Sequence, residues 1–225
     1  MIKTFTLHRD GNIQLSQHFK VREFKCKDGS DNILIDLDLI NILESLFVNL
    51  ECKSINITSG YRTPSWSVHV GGYSTDNHTK GIAVDFKARD KYGKEIPASK
   101  ILMCYQDLGY EGGAGYINRY AVHIDTRAKK TWFVEPKMNL VSDWHTFFGK
   151  PIKEAYNVMT TIDPNLNIRK GPGKNAKIWD TVPYNTRLRI NQSNIKGGFV
   201  KKGSWGNIQG TDLWASMSPA MVKFL

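Results

Sequence analysis

His78-Thr-Lys-Gly-Ile-Ala-Val-Asp85 is the stretch on which the reading of the chain turns. From Gly81 the residues alternate, which in an extended strand places Ile82, Val84 and Phe86 on one face and Gly81, Ala83 and Asp85 on the other. The carboxylate therefore lies among the smallest side chains. An ionised carboxylate buried alone is costly, and small neighbours leave room beside it for a compensating group, of which a metal ion is the simplest. A second alternating run, Tyr120-Ala-Val-His-Ile-Asp-Thr-Arg127, turns Val122 and Ile124 one way and Ala121, His123 and Asp125 the other. Two imidazoles and one carboxylate, with water in the fourth place, make an open tetrahedral zinc site of the hydrolytic kind. His78, Asp85 and His123 are the expected ligands. Positions i and i+2 on a strand are roughly 6.5 Å apart, so Asp125 reaches a metal-bound water more readily than the same metal. It is the expected general base.

A single His followed by an acid seven residues later is a weak signal, and a solvated loop His before a strand-end Asp is the ordinary alternative. Agreement between two separate strands is what strengthens it. Four motifs in order, Ser59-Gly-Tyr-Arg-Thr-Pro64, His78-x-x-Gly-x-Ala-x-Asp85, Gly112-Gly-Ala-Gly-Tyr116 and Val122-His-Ile-Asp-Thr-Arg127, resemble the zinc D-Ala-D-Ala carboxypeptidase and L-Ala-D-Glu endopeptidase family. These are peptidoglycan peptidases of bacteria and phage endolysins, and the likeness covers roughly residues 18–148. The resemblance implies zinc on His78, Asp85 and His123, with Arg62 contacting a substrate carboxylate or polarising its carbonyl. Two positions depart from the pattern. Many relatives carry Ser where this chain has Asp76, and some carry a His or an acid where it has Ala121 and Tyr120. Asp125 as base therefore rests on its position and on the subgroup with a His-x-Asp ending.

The 225 residues, 40% of them hydrophobic, suffice for a real core and for one large or two small domains. A net charge of +10 favours polyanions, among them nucleic acid, anionic lipid and the acidic polymers of a bacterial wall. No helix-turn-helix, finger or aromatic RNA motif is present, so no nucleic-acid partner is expected. The three cysteines, Cys26, Cys52 and Cys104, lack metal spacing and read as small buried residues. Met1 to Gly11 has no sustained apolar segment and no stretch is long enough to insert in a membrane. The expectation is an enzyme held in the host bacterial cytoplasm until lysis, then acting on the wall.

Along the chain, Arg9-Asp-Gly-Asn12 suggests an N-terminal hairpin, with His8 and His18 on the surface. Phe19–Phe24 reads as extended. Asp36 is a good N-cap for a helix whose Leu39, Ile40, Leu43, Leu46, Phe47 and Leu50 recur at helical spacing, with Asp38, Asn41, Glu44, Ser45 and Asn49 on a solvated side. Ser54–Thr58 alternates as a strand delivering Arg62 to a loop. Trp66 and Tyr73 either pack or wall a groove, and His69 is set aside as a ligand. Pro97 opens a helix that Gly109 closes. The glycines of 112–115 fit either close approach to a peptide or a bulge. Tyr116 reads as a core tyrosine or an oxyanion donor, and His145 as packing.

Beyond Pro151 the pattern changes to short β runs. Leu166-Asn-Ile-Arg-Lys-Gly-Pro172, Thr181–Ile190 and Trp205-Gly-Asn-Ile resemble a bacterial SH3-like wall-binding barrel. The expected architecture is α+β: an antiparallel sheet with flanking helices over 1–150, a linker over 151–160 and a small SH3-like barrel over 161–225. The expected activity is zinc-dependent hydrolysis of peptidoglycan stem peptides or cross-links, as carboxypeptidase or endopeptidase, with wall polymers bound by the C-terminal domain. A non-catalytic zinc-containing wall-binding protein is the alternative.

Overall fold

The computed structural model describes residues 1–152, 155–163, 165–191, 205–218 and 220–225. Strand β1 (Ile2–Thr6) leads into one turn of helix α1 (Leu7–Asp10) and pairs antiparallel with β2 (Asn32–Asp36). The expected hairpin around Arg9–Asn12 does not form. The Asp10 carboxylate turns back to accept from Thr6 N (2.8 Å), closing a local helical turn where a hairpin would need extended backbone. Val21–Phe24, expected as extended, is likewise a 3₁₀ turn, because Glu23 reaches back to accept from Lys20 N (2.7 Å).

Helix α2 (Leu37–Asn49) starts where the sequence places it, with the Asp36 side chain accepting from Asp38 N. It packs on a sheet formed by β3 (Cys52–Ser59), β4 (Ala83–Asp90), β5 (Gly113–Tyr116), β6 (Ala121–Asp125), β7 (Thr131–Val134) and β8 (Asn139–Val141). Helix α3 (Pro64–His69) lies in the loop between β3 and β4, α4 (Ala98–Asp107) follows β4, and α5 (Trp144–Phe148) follows β8. The strand order is β3-β4-β6-β5-β7-β8. Its β5–β7 pair is parallel, so the sheet is mixed rather than wholly antiparallel as expected. Val84, Phe86, Ala88, Ala114, Val122, Ile124 and Trp132 form one face, buried with Leu39, Leu43 and Leu46 of α2 and Ile101 and Leu102 of α4. Each such aliphatic side chain contributes about 1.5–3 kcal/mol by leaving water. That face is saturated with packing, which leaves the opposite face for chemistry.

The C-terminal residues form two small sheets. One has the order β12-β9-β15, from β9 (Ala155–Thr160), β12 (Arg187–Asn191) and β15 (Val222–Phe224). The other is β11-β10-β14-β13, from β10 (Asn165–Arg169), β11 (Ile178–Pro183), β13 (Trp205–Asn207) and β14 (Trp214–Ser216). A bridge between Ile190 and Ile208 joins them, and no closed barrel is found among the described residues. Residues 155–160, expected within a linker, are instead the central strand of the first sheet. Residues 153 and 154 of that linker, and 164, 192–204 and 219 of the expected C-terminal domain, lie outside the described residues.

The side of α2 expected to be solvated is covered in part. Glu44, Ser45 and Asn49 are buried beneath the C-terminal strands, while Asp38 stays exposed. Nor is His18 on the surface. Its ring stacks on Phe47 at 3.6 Å, and its two nitrogens meet Glu44 Oε2 and Asp180 Oδ2, each at 2.7 Å. Burial opposes the charged ring, but the bonds to Asp180 and Glu44 outweigh it and lift the His18 pKa to about 9. A pKa raised on folding gives stability that is fully present below the ordinary value of about 6.5 and is lost as pH rises through about 9. The urea midpoint of the protein is expected to fall between pH 7 and pH 10, and His18→Gln to remove a large part of that fall. Equal pH dependence in the two proteins would show that His18 carries no such charge.

Candidate metal centre

On the open face of the sheet, the register sets Asp85 of β4 directly opposite His123 of β6, and His123 opposite Gly115 of β5. The alternation is thus real, though the strand begins at Ala83 rather than Gly81. Gly81 sits in the preceding turn at φ +71°, a backbone setting that favours glycine. Its N–H donates to the His78 carbonyl (3.1 Å) and its carbonyl accepts from Asp36 N (2.8 Å), which fixes the loop carrying His78 above the sheet.

His78 is 4% exposed, and its Nδ1 donates to the Gly60 carbonyl (2.8 Å), which turns Nε2 towards Asp85. That Nε2 lies 3.4 Å from Asp85 Oδ1. His123 Nδ1 lies 2.8 Å from the same oxygen, so both rings converge on Oδ1. The other Asp85 oxygen accepts from Arg62 Nη2 (2.9 Å), whose Nε donates to Ser59 Oγ (2.8 Å). One donor atom from each of His78, Asp85 and His123 lies within 4.8 Å of the others. Tetrahedral zinc, with bonds of about 2.0–2.2 Å, sets neighbouring donors roughly 3.4 Å apart, so this donor set suits it in chemistry and in spacing.

Burial opposes ionisation of Asp85, yet hydrogen bonds from His123 and His78 prevail and hold its carboxyl well below the usual carboxylate range. For His123, burial lowers the pKa while the bonds to Asp125 and Asp85 raise it, ending at about 9. The two carboxylates that raise this ring's pKa make surroundings of negative charge, which also suit a metal cation.

Asp125, the expected general base, is held by neighbours on several sides. Fully buried, it sits on the far side of His123, with Oδ2 at 2.9 Å from Nε2 while Nδ1 faces Asp85. Its oxygens also accept from Arg127 Nε (2.7 Å), Arg127 N (3.1 Å) and Gly113 N (3.2 Å), and its Oδ2 pairs with Arg127 Nη2. Burial again opposes the charge, and the bonds from His123 and Arg127 hold this carboxyl far below its usual range. The imidazole thus stands between Asp125 and the point on which the three donors converge.

Several neighbours complete the surroundings of the centre. Gly113 leaves the space that the Asp125 carboxylate fills, since a Cβ there would lie 2.2 Å from Oδ2. Asp76 bonds the Ser67 hydroxyl, accepts from Thr79 N (3.0 Å) and approaches Arg62 Nη1 at 3.9 Å. Phe133 lies beside His123 with ring centroids 5.5 Å apart. The signal for Arg127 was present in the sequence: His123, Asp125 and Arg127 are spaced by two. Tyr116 points to the core face with Val122, against Phe148, and so away from the centre. His69 is exposed at the end of α3 beside Trp66, and His145 is bound to Asp107 (2.7 Å) under α4. Tyr73 is 79% exposed.

A family model described as Peptidase M15 matches residues 15–125, a span that holds Arg62, His78, Asp85, His123 and Asp125. Over that span the chain is similar to the Peptidase M15 family. Comparison with curated proteins and with solved structures gives no match.

Gly113→Ala is expected to push the Asp125 carboxylate off His123 and to weaken zinc binding about 10–100-fold, the usual cost of losing an outer hydrogen bond to a ligand imidazole. Competition against a chelating indicator measures it, with circular dichroism to confirm that the sheet persists. Unchanged affinity in a folded variant would dissociate Asp125 from the centre.

Proposed function

We propose that this chain is a zinc-dependent peptidase that hydrolyses peptide bonds in the stem peptides or cross-links of bacterial peptidoglycan. The observation that carries this reading is the convergence of His78 Nε2, Asp85 Oδ1 and His123 Nδ1 inside the segment matched by the Peptidase M15 model. Zinc bound there would polarise a scissile carbonyl and bring the pKa of a water to about 7. Arg62 holds Asp85 with one arm of its guanidinium and adds positive charge beside the position where an oxyanion develops. Asp125, ionised and held by Arg127, fixes the His123 tautomer so that Nδ1 presents its lone pair to the metal. In this reading Asp125 is a positioning residue, a role supported by its three hydrogen-bonding partners, His123, Arg127 and Gly113.

That saturation of Asp125 is also the observation favouring the second reading, a zinc-containing wall-binding protein without catalysis. The C-terminal sheets, with their resemblance to SH3-like wall binders, would hold wall polymers in either case. The basic balance of +10 suits acidic wall components. Among the described residues no helix is long and apolar enough to cross a membrane. Waiting in a host cytoplasm until lysis remains our proposal for where the chain resides.

Purified peptidoglycan treated with the wild type should gain new amino and carboxyl termini identifiable by mass spectrometry. Chelator and His78→Ala should each abolish them. New reducing sugar ends without new amino groups would make the protein a glycosidase, and no new termini at saturating zinc would favour the binding reading. Asp125→Asn separates the two roles of that residue. As a positioning variant it should lose zinc affinity by 10–100-fold and recover most activity in excess zinc, whereas loss of a general base would leave it inactive at every zinc concentration.

A further inference from the structure

Strand β12 is the outer strand of its three-stranded sheet, and apart from the Ile190–Ile208 bridge and the Arg189 carbonyl, which accepts from Gln209 N (2.8 Å), its outer backbone groups need partners. Here a helix takes them. Ser45 and Asn49 stand one turn apart on α2, on the side turned from the peptidase sheet. Ser45 Oγ accepts from Arg187 N (2.9 Å), Asn49 Nδ2 donates to the Arg187 carbonyl (2.8 Å), and Asn49 Oδ1 accepts from Arg189 N (2.8 Å). A hydroxyl and an amide thus do for β12 what a neighbouring strand would.

The service is returned at α4. Its last carbonyls have no partners within the helix and carry the negative end of the helix dipole. Arg187 Nη1 donates to the carbonyls of Leu108 (2.9 Å) and Gly109 (2.8 Å), and Arg189 Nη1 and Asn157 Nδ2 both donate to that of Asp107 (2.7 and 2.8 Å). Three further ties flank these. His18 joins buried Glu44 to Asp180, Lys170 bonds Glu51 (2.8 Å), and Lys91 bonds Glu51 and Asp212 (2.9 and 3.1 Å). Val48 of α2 belongs to the apolar cluster of the C-terminal strands and is fully buried in it.

We infer that the described residues of 155–225 form a permanently docked partner of the N-terminal half, bound to α2 and the end of α4 through an interface that holds without the covalent link between them. The inference rests on these contacts alone and stands whether or not the centre cleaves peptidoglycan. Separation would exchange this set of directed bonds for bonds to water and would expose Val48 and the apolar cluster around it. A flexible tether, which works through effective concentration, does not describe such a joint.

A specific protease site inserted between the exposed Pro151 and Ile152 allows the folded full-length chain to be cut. The two fragments are expected to stay together as one species of about 25.6 kDa in native mass spectrometry and size exclusion at 1 µM. Fragments that separate at 1 µM overturn the inference. In the cut protein, Ser45→Ala with Asn49→Ala should raise the dissociation constant at least tenfold, and no change would overturn the assigned contacts. Hydrogen exchange on the uncut native chain gives a check free of the insertion: the Arg187 and Arg189 amides should be as protected as those of β6. Exchange at loop rates would equally sink the docking.

Discussion

Asp85 is the constraint around which the N-terminal half is arranged. A carboxylate this enclosed needs cationic or hydrogen-bonding partners on every side, because its ion is stabilised by little else in a low-dielectric setting. The chain supplies them from four separate places: His78 from a loop, His123 from the neighbouring strand, Arg62 from the turn after β3, and Ser59 behind Arg62. Each comes from a different element, so none can move without leaving charge uncompensated. The rigidity of the apolar face beneath, with Val84, Phe86, Val122 and Ile124 fully buried, transmits that order to the polar face above.

The same logic extends outward one layer. His123 shares its two nitrogens between Asp85 and Asp125, and Asp125 shares its oxygens among His123, Arg127 and Gly113. Charges alternate in sign along the chain from Arg62 through Asp85, His123 and Asp125 to Arg127. Such alternation keeps each carboxylate ionised, and a cation taking the place of the proton on His123 would leave that balance of charge intact. It also explains Gly113 of β5: the space beside it is occupied by the Asp125 carboxylate, and only a residue without Cβ leaves it.

Helix α2 joins this half to the other. Its apolar stripe faces the sheet and its polar side faces the C-terminal strands, so the helix is enclosed between two partners. Amphipathic periodicity marks such a helix as half-exposed, since a polar residue facing water and one facing a backbone edge look alike in a sequence. His18 is the same case: a histidine in a polar segment reads as solvated until two carboxylates from distant positions are brought to its ring.

Much of the protein was legible in its residues. Alternation over 83–86 and 121–125 fixed which side chains share the face of the centre, because the two-residue period of a strand is a local property of the backbone. The N-cap at Asp36, the closing glycine of α4 and the β-rich character beyond residue 155 are local for the same reason. Four features were not local. The parallel β5–β7 pair, the side of His123 on which Asp125 falls, the burial of Glu44, Ser45 and Asn49, and the joint between β12 and α2 depend on segments tens of residues apart meeting in one register. A strand pattern states which way a side chain points and says nothing of what stands in front of it, and that is where the tertiary structure decided this protein.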